Sequence, residues 1–377
     1  MLNWLRRQRH LIDYTVSCLL RRRGKNLGLV FVYSLVIFTL ASAMLYSQAL
    51  KREAGRLLAG APEVVVQRLV AGRHDLMPAD YLTRLGRLRG VARMEGRLWG
   101  YYYDPVVAAN YTLMAPSRDR LAPGRIVIGA GVARTRGLAA GDVFSLPAYN
   151  GRPHAFTVER VLAADSELVS ADLLLVSAQD FRAFYGLPED VYTDIALTVT
   201  NPREVRKLAE KIAQRLPDCR PVLREEVLRT YESVFNWREG LLLAVLVGAL
   251  LAFLIFAWDK AAGLTAEERR EIGILKAVGW ETSDVLLMKA WEGGLISLTA
   301  FSFGYVAAHL HVFYLGAPLI EPVMKGWSVL YPRFRLAPQV DELQLATLFL
   351  LTVLPYTAAT LVPIWRAAST DPDSVMR

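Results

Sequence analysis

Residues Gly240–Trp258 read GLLLAVLVGALLAFLIFAW, 19 positions without Asp, Glu, Lys or Arg. A helix rising about 1.5 Å per residue needs close to 20 such positions to cross the roughly 30 Å hydrocarbon core of a bilayer. Leu27–Gln48, Gly293–Ile320 and Leu343–Trp365 share that character, and none holds an acid, a Lys or an Arg. The whole chain of 377 residues is 53% hydrophobic and 21% charged, with mean hydropathy +0.26. A soluble domain this large seldom averages above zero, so polar and apolar residues must be segregated along the chain. Four candidate spans exclude a soluble single-domain enzyme, a disordered chain and a disulfide scaffold.

The formal charge of +8 is segregated too. Residues 1–26 carry seven bases against Asp13, a net of +6, while residues 49–236 are net +4 and the remainder net −2. Arg6, Arg7, Arg9, Arg21, Arg22, Arg23 and Lys25 therefore flank the first apolar stretch, which places the N-terminus inside by the positive-inside rule. A nucleic-acid binder would spread its cations along a groove-facing element among aromatics, so no nucleic acid is expected. Ala41-Ser42-Ala43 has the form of a signal-peptidase site. The apolar run Leu27–Leu45 is 19 residues long, beyond the roughly 7–15 of a secretory signal, and a retained span is expected instead. Residues 2–20 set Trp4, Leu5, Leu11, Ile12, Val16, Leu19 and Leu20 at spacings of three and four, predicting an amphipathic helix on the inner membrane surface.

The expected fold is an α-helical membrane protein with four transmembrane helices and a large mixed α/β extracytoplasmic domain between helices 1 and 2. Its order is a cytoplasmic basic segment (1–26), span 1 (27–48), the α/β domain (49–237), span 2 (238–258), a cytoplasmic stalk and coupling helix (259–292), span 3 (293–315), an outer loop (316–342), span 4 (343–365) and a cytoplasmic tail (366–377). Within the α/β domain, strands are predicted at Glu63–Val70, Arg125–Gly129, Phe156–Leu162, Leu173–Val176 and Asp194–Thr200. Asn150-Gly151 signals a hairpin turn between Val143–Ala148 and Pro153–Leu162. Pro202–Leu216 predicts a helix with Val205, Leu208, Ala209, Ile212 and Leu216 on one face. Cys18 and Cys219 fall on opposite sides of the membrane in this topology, so neither a disulfide between them nor a cysteine metal site is expected.

Between the second and third apolar stretches, Ala266–Glu292 reads AEERREIGILKAVGWETSDVLLMKAWE. Glu267, Glu268, Arg269, Arg270 and Glu271 can carry span 2 into water as a solvated helix, and Gly279 is a candidate stop for it. Thr282 or Ser283 would cap a second helix, Thr282–Trp291, with Val285, Leu286, Leu287, Met288 and Trp291 apolar beside Asp284 and Lys289. A short amphipathic helix between two spans suits force transfer from a partner, and it suits a helix resting on lipid headgroups equally well.

This stretch resembles the ABC-transporter permeases of the MacB/FtsX/LolC/E group. RRRGKNLGL (Arg21–Leu29), Val127-Ile128-Gly129 with Val132 to Gly141-Asp142, the tail Pro363–Ala368 with Asp371-Pro372 and Val375–Arg377, and the four-span order are similar to the same family. The resemblance implies the permease subunit of an ABC transporter in the bacterial inner (cytoplasmic) membrane, multi-pass, with both termini cytoplasmic. It implies contact with an ABC ATPase subunit through Glu268, Arg269, Arg270, Glu271, Lys276, Val285, Met288 and Lys289, with Glu292 as a coupling acid at the start of span 3. A second permease copy or paralogue, a periplasmic adaptor or lipoprotein, and membrane lipids complete the expected partners. Export, efflux or lipoprotein handling is the expected role. The alternative is an FtsX-like regulator that activates a periplasmic cell-wall hydrolase, for which an outer domain of about 188 residues is large. Two features depart from the family: Trp280 where a small residue is usual, and an outer loop carrying Trp327, Tyr331 and Phe334.

Other candidate chemistry is sparse. The chain has no Gly-x-x-x-x-Gly-Lys-Ser/Thr loop, so it is not expected to be an enzyme, and ATP and Mg²⁺ are assigned to the partner ATPase with no cofactor in this chain. His309 and His311 are two apart, about 200° around a helix, and cannot hold one metal together. Arg84, Arg87, Arg89, Arg93 and Arg97 read as a solvated face, with an acidic-ligand site as the alternative, and Trp99 with Tyr101, Tyr102 and Tyr103 suits docking of a partner or lipid and an aromatic strand edge equally well.

Overall fold

The computed structural model describes residues 2–117, 121–163, 167–262, 266–325, 330 and 336–368. They divide into a helical unit (Met1–Ala49, Trp237–Met324 and Leu336–Arg377) and an α/β unit (Leu50–Asn236 with Lys325–Arg335).

Among the described residues, four helices are long and apolar enough to cross a membrane: span 1 (Arg23–Leu58), span 2 (Arg224–Ala262), span 3 (Thr282–Phe313) and span 4 (Glu342–Ala368). Their contact is built on aromatic stacking and small polar residues, as suits helices that gain nothing from exchanging lipid for leucine. Tyr33 of span 1 stacks on Phe253 of span 2 at 4.5 Å and on Tyr356 of span 4 at 5.0 Å. Its hydroxyl donates to the Thr352 carbonyl at 2.6 Å, which satisfies a buried donor. At Gly304 of span 3 a Cβ would lie 2.8 Å from the Ser34 carbonyl oxygen, so spans 1 and 3 touch backbone to backbone. His311 faces span 1, with Nδ1 3.2 Å from Ser42 Oγ, whereas His309 joins an aromatic row with Tyr305 and Phe313. The two rings have different partners, as their rotation around the helix requires.

Two expectations for this unit change. Thr282–Phe313 is one helix of 32 residues, without a break between a coupling helix and span 3. Nothing from Trp291 to Gly294 removes a backbone donor, and Gly293 is occupied by packing: a Cβ there would sit 3.0 Å from Thr360 Oγ1. The N-terminal helix, Leu2–Arg21, is packed against the start of span 3 through Gln8, Leu11 and Thr15, all buried. Of the apolar face expected to meet the membrane, Val16 and Leu20 are exposed, and Trp4 and Leu5 fall outside the described side chains.

The α/β unit is built on strands β1 (Val64–Val70), β2 (Arg73–Asp75), β3 (Met77–Pro78), β4 (Val91–Asp104), β5 (Ala109–Ala115), β6 (Arg125–Ile128), β7 (Val143–Pro147), β8 (Pro153–Val161), β9 (Leu173–Val176), β10 (Val191–Tyr192), β11 (Asp194–Val199) and β12 (Cys219–Leu223). The main sheet runs β12-β1-β11-β4-β5-β9-β6-β8-β7, with β2 beside β1, while β3 and β10 form a separate pair. Only β5 with β9 and β6 with β8 are parallel among the described pairs. The predicted strands and the β7–β8 hairpin are present, with Gly151 at φ +75° supplying the turn that a residue with a Cβ resists. The predicted helix opens as a short 3₁₀ turn, Pro202–Glu204, and continues over Val205–Arg215 with Leu208 and Ile212 buried.

β4 is the strand that the sequence hides. Its first half pairs with β11 (Arg97 opposite Asp194) and its second with β5 (Leu98 opposite Ala115 through Asp104 opposite Ala109). It thus joins two cores, one around Tyr111, Phe144, Phe156, Phe181 and Phe184 and the other around Val64, Leu85, Ile195, Leu208 and Ile212. The expected solvated face holds for Arg84, Arg87 and Arg89, which are exposed, and is corrected for Arg93 and Arg97; the aromatic edge is corrected because β4 lies inside the sheet. Its cations are neutralised: Arg97 forks onto the buried Asp194 carboxylate with two 2.7 Å bonds, and Trp99 Nε1 donates to the same group at 2.8 Å. Arg93 pairs with Glu95, and Arg84 stacks 4.3 Å over the Tyr81 ring, leaving Arg87 and Arg89 in water. Leu330 completes the first core, while Trp327, Tyr331 and Phe334 lie outside the described residues.

Candidate functional site

The stalk is the helix Ala266–Ala277. It closes as a Schellman turn: Trp280 N donates to the Leu275 carbonyl and Gly279 N to that of Lys276, each at 3.0 Å, with Gly279 at φ +102°. Span 3 restarts three residues later. Its cap is Glu281 rather than Thr282 or Ser283, through a reciprocal box in which the Glu281 carboxylate accepts from the Asp284 backbone N and the Asp284 carboxylate from the Glu281 N. A carboxylate at each position gives the box two acceptors next to the positive end of the helix, which a hydroxyl would provide without the charge. Stalk and span 3 are therefore joined by a turn whose exposed backbone groups are bonded at both ends.

The N-terminal helix is laid along that turn. Arg7 forms an ion pair with Asp284, Trp291 Nε1 donates to Gln8 Oε1 at 2.8 Å, and Thr15 Oγ1 lies 3.5 Å from the Met288 carbonyl. Glu271 of the stalk is the hub. It accepts from Arg22 Nη2 at 3.1 Å, from Tyr14 OH at 3.3 Å and from Cys18 Sγ at 3.5 Å. Burial, with Cys18 and Glu271 adding to it, pushes the Tyr14 hydroxyl up to about 12. Burial and then Glu271 also raise the Cys18 thiol, so both stay protonated at neutral pH and serve the carboxylate as donors. Trp280 packs against Ile272 and Val285, with its ring centroid 5.6 Å from that of Tyr14. Its bulk fills the angle where three helical segments meet.

Of the residues singled out in the sequence, Glu271, Met288, Lys289 and Glu292 come together and line one small cleft of about 20 Å³ with Thr15, Cys18, Arg21 and Arg22. Lys289 is paired with Glu292 within it. Val285 and Met288 are 0% and 4% exposed, sealed by this chain's own helices. Arg270 is exposed on the stalk, Lys276 is half-buried outside the cleft, and Glu268 and Arg269 fall outside the described side chains. A space of that size is too small to enclose a drug-sized molecule. Sequence reasoning misses Arg7 and Arg22 because they read as membrane flank, Cys18 because it reads only as an unpaired cysteine, and Gln8, Tyr14 and Thr15 because no motif singles them out. The available signal was Gln8, Leu11 and Thr15 at helical spacing, a face too polar for lipid.

Residues 239–372 match the family described as FtsX-like permease C-terminal. Over that region the chain is similar to the FtsX/MacB-type ABC permeases. An uncharacterised ABC transporter permease from Methanocaldococcus jannaschii is 26% identical over 189 residues, which is 48% of this chain and 46% of that protein. The chain thus spans about half the length of that relative. The matched region contains the stalk, the capped turn and spans 3 and 4, and therefore Glu271, Met288, Lys289 and Glu292, while the N-terminal helix lies outside it.

Proposed function

We propose that this chain is the membrane subunit of an ABC system in which a separate ATPase subunit moves the stalk, and the spans pass that movement to the α/β unit. The observation that carries this reading is the junction at Glu271. A stalk closed by Gly279, restarted by Glu281 and bonded to the N-terminal helix is joined to the starts of spans 1 and 3, which supports passage of its movement to them. Export, efflux or lipoprotein handling is the work that such movement would do, with ATP and Mg²⁺ held by the partner and no catalysis by this chain. The working unit pairs two permeases, as copies or paralogues, in the bacterial inner membrane, with both termini cytoplasmic and a periplasmic adaptor or lipoprotein as outer partner.

On the stalk, Ile274 and Val278 are 55% and 77% exposed, one turn apart, with Arg270 a turn before them. With the buried Val285 and Met288 behind them, these side chains are the surface that an ATPase would meet, together with Lys276. Co-purification with the ABC ATPase encoded alongside tests this. Ile274→Asp with Val278→Asp is expected to reduce recovered ATPase at least tenfold while the permease remains folded, since neither side chain is buried. An undiminished complex would overturn the interface. Stimulation of the complex by a cell-wall hydrolase and not by lipoprotein would replace transport with regulation.

A further inference from the structure

We propose that the cleft at Arg21, Arg22 and Lys289 binds the phosphodiester of an anionic phospholipid headgroup, which fastens the N-terminal helix to the start of span 3. The proposal rests on the four apolar helices being membrane spans and is independent of any ATPase. Depth is the first argument. Leu27, where the apolar run of span 1 begins, lies one helical turn beyond Arg23, and Glu292 directly precedes the apolar run that opens at Gly293. Both chain segments lining the cleft therefore meet it at the level where hydrocarbon gives way to headgroups. Charge is the second. Three cations, Arg21, Arg22 and Lys289, face two carboxylates, Glu271 and Glu292. Glu271 is already bonded to Arg22, Tyr14 and Cys18, and Glu292 to Lys289. The excess is one positive charge, carried by the exposed Arg21, which matches a phosphodiester's single negative charge.

Cys18 lines the same cleft and reports on it. The experiment uses the full chain in nanodiscs of phosphatidylcholine, alone or with phosphatidylglycerol at about one lipid in three, and follows alkylation of Cys18 by iodoacetamide, a neutral reagent. Phosphatidylglycerol is expected to slow labelling at least fivefold, and Arg21→Gln or Lys289→Gln to abolish that difference. Ser17→Cys in a Cys18→Ser background, exposed on the same helix, should label equally in both discs and so removes surface charge as the cause. Inorganic phosphate added to phosphatidylcholine discs should give no protection, whereas protection equal to that by phosphatidylglycerol would overturn the lipid assignment in favour of a free phosphate. Equal rates in the two discs, or a difference that survives both variants, overturn the site. A chain that fails to enter nanodiscs at all would refute the span reading instead.

Discussion

At the scale of single residues, the groups that matter are carboxylates surrounded by donors. Glu271, Asp194 and Asp218 each collect a tyrosine, tryptophan or thiol as well as an arginine, so none of the three carboxylates is left without a donor. Asp218 lends itself to measurement, because it lies in the α/β unit. The Tyr81 hydroxyl first, and then Arg68, hold its carboxyl below the usual range of about 3.8. A depressed folded pKa adds stability above the unfolded value, and that contribution is lost as pH falls through the folded one. Because the Asp218 side chain is 38% exposed, solvent screening limits the effect to about 0.5–1 kcal/mol. Thermal unfolding between pH 6 and 2 should therefore show a loss below about pH 4 that Asp218→Asn lacks, being less stable at pH 6 and converging with the parent in acid. Parallel curves would refute the pairing.

At the scale of elements, much was legible locally. Short β-branched runs locate β1 and β6, apolar runs β8 and β9, alternation β11, Asn150-Gly151 a hairpin, and the 3.6-residue spacing of Leu208 and Ile212 a helix, since each signal depends only on near neighbours. β4 was illegible because its charges looked solvated, and their partners are distant in sequence: Arg97 and Asp194 are 97 residues apart. The stalk turn lies between these cases. Gly279 announced a stop, whereas the choice of Glu281 over Thr282 as cap depended on the reciprocal bond with Asp284. Gly279→Ala is expected to cost about 1–2 kcal/mol through its positive φ, and Glu281→Ala about 1 kcal/mol through the lost cap. Hydrogen exchange of peptides covering 275–290 reads both. Each should quicken several-fold while exchange in β4 and β5 stays unchanged, and an unaltered turn would show that packing around Trp280 alone sets its geometry.

At the scale of the whole molecule, the topology expected from charge is open to a direct test. Val106→Cys (75% exposed in the native side chain) and Ser283→Cys sit on the α/β unit and on the capped turn. In a Cys18→Ser background, a membrane-impermeant maleimide should label position 106 on intact spheroplasts and position 283 only after permeabilisation. Cys219 contributes little signal, because burial and then Asp218 push its thiol up to about 12. Labelling with the opposite sidedness would invert the orientation. By itself, the sequence determined the four apolar helices, the mixed α/β character of the large unit and the polar stretch between spans 2 and 3. Composition and periodicity are properties of neighbouring residues, which a chain carries before it folds. Only the tertiary structure decided that the N-terminal helix binds the stalk rather than lying on the membrane alone, that Val285 and Met288 are sealed inside, and that β4 runs through the middle of the sheet. Each of those outcomes depends on a partner tens to hundreds of residues away, as with Tyr14 and Glu271 at a separation of 257, and no local pattern encodes which distant group will satisfy a charge.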